Sequence, residues 1–287
     1  MSINEFAEVL KTKLLERMEE VQEIEIKRVL KNNSVALLGL LFTDSRRNVS
    51  PTIYLENFYK LYQEGTELED IVDEICRCYE ESQMPENKDV SFIRDWEQVK
   101  GMVAYKLVSR ERNQELLEKI PHKDILDLSI IFYLAVEQYG GSILIYNSHC
   151  EMWNVDVEEL AKVAVENTPR ICPWHLQTMG ETLGELGMEM EEAERLYVLS
   201  NEKRLFGAVA LLYPGSMERV AERLQSDFYI IPSSIHETII VPTGENMDAN
   251  SLIQMVHEVN STVMVEEEIL GDNVYFYSRE KQELEVA

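Results

Sequence analysis

Positive charge is what this chain has least of. Over 287 residues, 27 Lys and Arg stand against 53 Asp and Glu, for a net charge of −26. A surface this negative repels phosphate backbones and anionic lipid headgroups, which excludes nucleic acid and membrane as partners while permitting a basic protein. Cysteine is sparse as well, with four in all and two of them in Cys76-Arg-Cys78. That is too few for a disulfide scaffold and suits a reducing compartment. Long apolar runs are missing. Stretches such as "IIFYLAV" (Ile130 to Val136) fall far short of the ~20 residues a membrane helix needs. The opening "MSINEFAEVLKTKLLERMEE" is charged throughout and lacks the apolar core of a secretory signal. The expectation is a cytoplasmic protein.

What remains is a well-patterned folding sequence. Its 45% hydrophobic and 28% charged residues are ordinary for a chain with real cores, long enough for two modest domains or one large one. Ile3, Phe6, Val9, Leu10, Leu14, Leu15 and Met18 recur at helical spacing. "IEIKRVL" and "SVALLGLLF" flank Lys31-Asn32-Asn33, which predicts a β-hairpin. A short edge strand at "TIYL" after Pro51 leads to two helices, at 56–63 and 67–81. Gly65 is placed to end the first of these, and Thr66 with Glu69 has capping-box spacing for the second. The loop "MPENKD" (Met84 to Asp89) closes this N-terminal helix-hairpin-helix portion at about residue 88.

The rest of the chain reads as two related β-α-β-β-α passes, over 89–180 and 181–287. In the first, "GMVAYKLVS", a helix in "RERNQELLEKI", then "DILDLSIIFYLAV" and "SILIYN" around Tyr139-Gly140-Gly141 precede the helix "DVEELAKVAVENT". In the second, "GAVALLYPG", "SMERVAERL", "DFYII" and "ETIIV" precede "DANSLIQMVHEVNST". Each last helix begins at an aspartate, Asp156 or Asp248. With "DNVYFYS" as a closing strand, the order is that of a ferredoxin-like split βαβ unit in an α+β protein with mainly antiparallel sheets.

"SPTIYLENFYKLYQEG", "YVLSNEKRLFGAVALLYPG", "DFYIIPSSIHETIIVP" and "EEEILGDNVYFYSRE" together resemble the bacterial domain-of-unknown-function family 5688, found mostly in Gram-positive anaerobes. The resemblance runs from about residue 20 to 280. It implies a single architecture rather than separable modules. It carries over no reaction, cofactor or catalytic residue.

The turn "PSSIHE" between two apolar runs holds the chemistry most suggestive of a site. Ser233 or Ser234 with His236 and Glu237 offers a nucleophile, a base and a carboxylate, and Asn201 in Asn201-Glu202-Lys203-Arg204 is a neighbouring polar candidate. Residues so close in a tight turn project in different directions, and there is no Gly-x-Ser-x-Gly elbow to expose a serine. Serines after Pro232 also serve as turn formers. "SHCEMW" and "RICPWH" bring His149, Cys150, Cys172 and His175, but adjacent His149-Cys150 poorly shares one ion and no second spaced pair exists, so no metal or other cofactor is expected. The acidic runs "MEMEEAER" and "VEEEIL" lack the pattern of a calcium loop, and Gly180, Gly184 and Gly187 lack that of a P-loop. The sequence-based reading is a non-enzymatic interaction or regulatory protein with an unidentified protein partner. Ser233, Ser234, His236, Glu237 and Asn201 are its candidate binding residues. The alternative is a hydrolase or transferase using a Ser/His pair on the 232–237 turn.

Overall fold

The computed structural model describes residues 1–43, 52–82, 90–136, 141–185, 187, 195–244 and 248–287. Pro51, the "MPENKD" loop, Tyr139 and Gly140 of the first-pass turn, and nearly all of the 188–195 acidic run lie outside them. Two compact units emerge, one formed by residues 1–31 with 35–93 and the other by residues 32–34 with 94–287. Among the described residues no helix is long and apolar enough to cross a membrane.

The first unit opens on α1 (Ile3–Arg17). Ser2 and Glu5 form a reciprocal capping box, the Ser2 N–H donating to the Glu5 carboxylate at 2.7 Å and the Glu5 N–H to Ser2 Oγ at 3.3 Å. Two of the helix's orphan amides are thereby satisfied. Strands β1 (Glu23–Leu30) and β2 (Ala36–Thr43) pair antiparallel from Glu23↔Thr43 to Leu30↔Ala36, and β3 (Thr52–Tyr54) adds to β2. Helices α2 (Glu56–Gln63) and α3 (Leu68–Glu81) follow, with Gly65 at φ 100° letting the chain turn between them. The expected Thr66–Glu69 capping box does not form, because Glu67 is the N-cap of α3 and Glu69 instead pairs with Lys13 of α1. Phe6, Leu10 and Leu14 of α1 meet Ile24, Leu40 and Ile75 in a core without exposure.

The second unit contains α4 (Trp96–Val99), β4 (Val103–Ser109), α5 (Gln114–Leu117), β5 (His122–Ile125), β6 (Leu128–Val136) and β7 (Gly141–Leu144). Then come α6 (Asn147–Trp153), α7 (Val157–Ile171), β8 (Trp174–Thr178), α8 (Met179–Glu185) and β9 (Tyr197–Asn201). The last elements are α9 (Ser216–Leu224), β10 (Phe228–Ile231), β11 (Thr238–Pro242), α10 (Ala249–Thr262), β12 (Tyr275–Ser278) and β13 (Glu283–Val286). One sheet is centred on β6, with β4 along one edge and with β5 and β7 end to end along the other. The other runs β13-β12-β10-β11-β9-β8. Helix α7 lies on β4, where Thr168 Oγ1 accepts the Tyr105 N–H at 3.1 Å and Asn167 Nδ2 donates to the Val103 carbonyl at 3.1 Å. Helix α10 rests Leu252 and Val256 on Ile231, Val241 and Val274.

The protein is thus α+β with antiparallel sheets, but the internal repeat is not reproduced strand for strand. A split βαβ unit sets two strands parallel with a third strand, antiparallel to both, between them. That feature is present in both passes, since β9 and β10 flank β11 and β4 and β5 flank β6, each central strand antiparallel to its two neighbours. "GAVALLYPG", expected as a strand, is a buried 3-10 helix at Gly207–Leu212, and the strand lies upstream at β9. Periodicity does not separate a short strand from a buried helical turn when nearly every side chain is apolar. "DILDLSIIFYLAV", expected as one strand, folds back on itself as β5 and β6, with Leu126 at φ 53° in the turn. The two helix starts fall where expected: Asp156 Oδ1 accepts the Glu159 N–H at 2.9 Å, and Asp248 Oδ1 accepts the Ser251 N–H at 2.9 Å. Replacing either, as Asp156→Ala or Asp248→Ala, is expected to lower stability by about 1 kcal/mol in urea unfolding without changing the far-UV spectrum of the folded state.

Candidate functional site

Strand β9 ends at Asn201 and β11 begins at Thr238, and the pairing Thr238↔Leu199 brings these ends together. The loop after β9 and the turn before β11 therefore leave the sheet side by side. Four of the five candidate residues, Asn201, Ser234, His236 and Glu237, take part in or border the contacts between these segments. Ser233 is half-buried, and its N–H closes onto the Ile231 carbonyl at 2.9 Å.

Ser234 shapes the turn. Its Oγ accepts the N–H groups of His236 (3.0 Å) and Glu237 (3.3 Å), while its own N–H donates to the Glu237 carbonyl at 3.0 Å. This is the side-chain-to-backbone bonding that makes serine a turn residue. On the facing loop Asn201 acts similarly, donating from Nδ2 to the Leu205 carbonyl (2.8 Å) and accepting the Leu205 N–H at Oδ1 (3.3 Å). Asn201 is 1% exposed, so it meets no ligand directly in this arrangement. The loop it closes has Arg204 and Phe206 in left-handed conformations, at φ 50° and 55°, which non-glycine residues adopt only where their surroundings enforce it.

His236 joins loop to turn. Its carbonyl accepts the Ser200 hydroxyl at 2.7 Å, and its Nδ1 accepts the Phe206 N–H at 3.2 Å. An accepting Nδ1 leaves the neutral ring's proton on Nε2. The ring stacks on Phe206, with centroids 5.7 Å apart and planes 14° from parallel. Lys106 Nζ sits 3.7 Å from the centre of the Phe206 ring, a cation–π contact, and Tyr133 meets the same ring edge-on at 5.5 Å. Burial lowers the affinity of His236 for a proton. Glu268 opposes this from 3.9 Å, and Lys106 reinforces it. Among the described residues no serine hydroxyl bonds either ring nitrogen of His236. Glu237 is pushed the other way: burial raises its pKa, and Arg204 only partly offsets this. Arg204 itself pairs with Glu185. The loop's outer surface is formed by exposed Glu202, Lys203, Arg204 and Leu205, the last 46% exposed.

Ser200, Phe206, Gly207, Lys106 and Glu268 belong to this cluster and were not singled out from sequence. Gly207 alone carried a signal, as the glycine that opens "GAVALLYPG" just as Gly101 opens "GMVAYKLVS". A Cβ there would lie 2.1 Å from Ser200 Oγ, 2.5 Å from the His236 carbonyl oxygen and 2.7 Å from the Asn201 nitrogen. The glycine is what lets loop and turn touch.

The second candidate set is divided between α6 and the region around β8. His149 Nδ1 accepts the Tyr146 N–H at 3.0 Å and its ring stacks on Trp153, while burial lowers its pKa and raises that of the Cys150 thiol. Cys172 is buried and lends its carbonyl to the Tyr213 hydroxyl at 2.8 Å, and His175 Nε2 lies 2.7 Å from Gln177 Oε1. Among the described residues no group of three or more His, Cys, Asp or Glu is gathered to hold a metal ion.

The architecture is that of an α+β protein whose 232–237 turn is tied through His236 to the neighbouring loop. The chain belongs to the family of unknown function DUF5688, whose model matches residues 3–279. Neither a curated protein nor a solved structure shows significant similarity to it.

Two measurements probe this geometry. Gly207→Ala is expected to destabilise the protein by roughly 3 kcal/mol in urea unfolding, because backbone atoms on both sides leave no room for a methyl group. Glu237 holds its proton more tightly folded than unfolded. Its contribution to stability is therefore full below the ordinary glutamate value of about 4.3 and is lost as pH rises through the folded value. Glu237→Gln is accordingly expected to melt higher than wild type at neutral pH, with the gap closing in melts taken near pH 4.

Proposed function

We propose that this is a cytoplasmic, non-enzymatic interaction or regulatory protein, and that the 201–207 loop and 232–237 turn form part of its recognition surface. The observation that carries this reading is the use of His236 Nδ1 by the Phe206 N–H. A base for a serine needs a ring nitrogen within hydrogen-bond reach of the hydroxyl. Here one nitrogen is spent on a backbone amide, and the Ser234 oxygen is spent on two others. The same bonds that compromise a catalytic pair stiffen a pair of loops, and stiff loops bind at lower entropic cost. Glu237 supports the reading. A carboxylate kept partly buried against its own preference is a sacrifice of stability, typical of residues retained for function. The surplus of carboxylates favours a partner with basic character.

The test compares capture of partners from native lysate by wild type, Leu205→Asp and Glu237→Gln, each verified as folded by its melting curve. A partner held by wild type and reduced about tenfold by Leu205→Asp is expected, the loss of one well-packed contact. Hydrolysis of acyl esters by the purified protein, abolished in His236→Ala and in either Ser233→Ala or Ser234→Ala, would instead establish the hydrolase.

A further inference from the structure

Helix α10 carries one apolar stripe, and only its first half is covered. Leu252, Val256, Val259 and Val263 recur at the four-three-four spacing of a coiled-coil seam. Leu252 and Val256 are 2% and 3% exposed, seated on Ile231, Val241 and Val274. Further along the same face Val259 is 38% exposed and Val263 74%, with Met255 beside them at 51%. Val265, just past the helix end, is 61% exposed. Isolated apolar residues on a surface need no explanation, but a row that prolongs the core-facing stripe of a helix marks a contact surface.

The charged groups that this stretch of chain itself supplies have one sign. From residue 248 to residue 278 the chain has Asp248, Glu258, Glu266, Glu267, Glu268 and Asp272 but no Lys or Arg. Glu258 and Glu266 are exposed, whereas Asp272 is engaged by Arg112 at 2.8 Å. Two copies meeting stripe to stripe would set carboxylates against carboxylates on chains that each carry −26, a juxtaposition that penalises self-association. A helix with its own apolar seam and flanking Lys or Arg meets no such penalty.

We propose that the C-terminal half of α10 is a docking face for a basic amphipathic helix of a partner protein. The partner's seam would cover Met255, Val259 and Val263, and its cations would face Glu258 and Glu266. This rests on the reading of the protein as an interaction module and extends its surface. The acidic turn after α10 adjoins the candidate turn, with the Ile235 N–H donating to the Glu268 carbonyl at 2.9 Å.

The experiment titrates the full-length protein into a fluorescent amphipathic peptide of leucine and lysine, with a leucine–glutamate peptide as control, and reads anisotropy. Wild type is expected to bind the lysine peptide and not the glutamate one. Combining Val259→Asp with Val263→Asp is expected to weaken binding at least about tenfold, the loss expected when apolar anchors are removed. The substitution adds two negative charges, so simple attraction between a basic peptide and an acidic protein predicts unchanged or tighter binding. That result would overturn the docking face, as would no binding by wild type. Sedimentation gives a third decisive outcome, because a wild-type dimer abolished by the valine changes would make a second copy the occupant. Should the double variant fail to fold, Val263→Asp alone serves, since that side chain is mostly in solvent. Unchanged peptide binding in the valine variants, together with loss of captured partner in Leu205→Asp, overturns this inference and leaves the proposed function standing.

Discussion

One residue ties the 232–237 turn of the second unit to the segment that ends β9. Through its carbonyl and its Nδ1, His236 takes two donors from the neighbouring segment, the Ser200 hydroxyl and the Phe206 amide. The left-handed backbone at Phe206, the buried 3-10 helix that starts at Gly207 and the stacked Phe206 ring are compatible only while those bonds hold. A non-glycine residue at φ 55° sacrifices about 1 kcal/mol or more, which its surroundings must return. Stacking, the Lys106 contact and the two hydrogen bonds supply that return.

The strength of this latch also explains the chemical character of the site. An imidazole with one nitrogen committed to a backbone amide and its ring half-buried is a poor general base and a good structural joint. The serine beside it is likewise committed to the turn. What the loops present outward is Leu205 among charged neighbours. The excess of carboxylates acts over longer range, through the summed negative field of the chain.

Much of this was legible in the sequence where local chemistry dominates. Asp156 and Asp248 announce helix starts because an aspartate before an apolar periodic run satisfies orphan amides whatever lies around it. The hairpins around residues 31–35 and 232–237 were legible for the same reason. The 3-10 helix at Gly207–Leu212 was not, because its conformation follows from the closeness of Ser200 and of His236, the latter more than twenty residues further along the chain. The five candidate residues are gathered where β9 ends and β11 begins, and their partners Phe206, Lys106 and Glu268 come from segments that only folding unites. The failed Thr66–Glu69 cap has a similar origin, since Lys13 of another helix claims the Glu69 carboxylate. Residue types revealed which groups were present, and only the fold revealed which of them were already occupied.

The arrangement around β6 carries a consequence for solubility. One long edge of β6 is closed by β4, and the other by two four-residue strands set end to end, His122–Ile125 and Gly141–Leu144. A long flat border of unpaired backbone groups invites strands from other chains, the first step toward fibrils. Breaking that border into two short pieces, with Lys123 on the first and glycine and serine opening the second, removes the template. A strongly β-forming core such as "SIIFYLAV" can therefore sit at the centre of a sheet without seeding polymerisation.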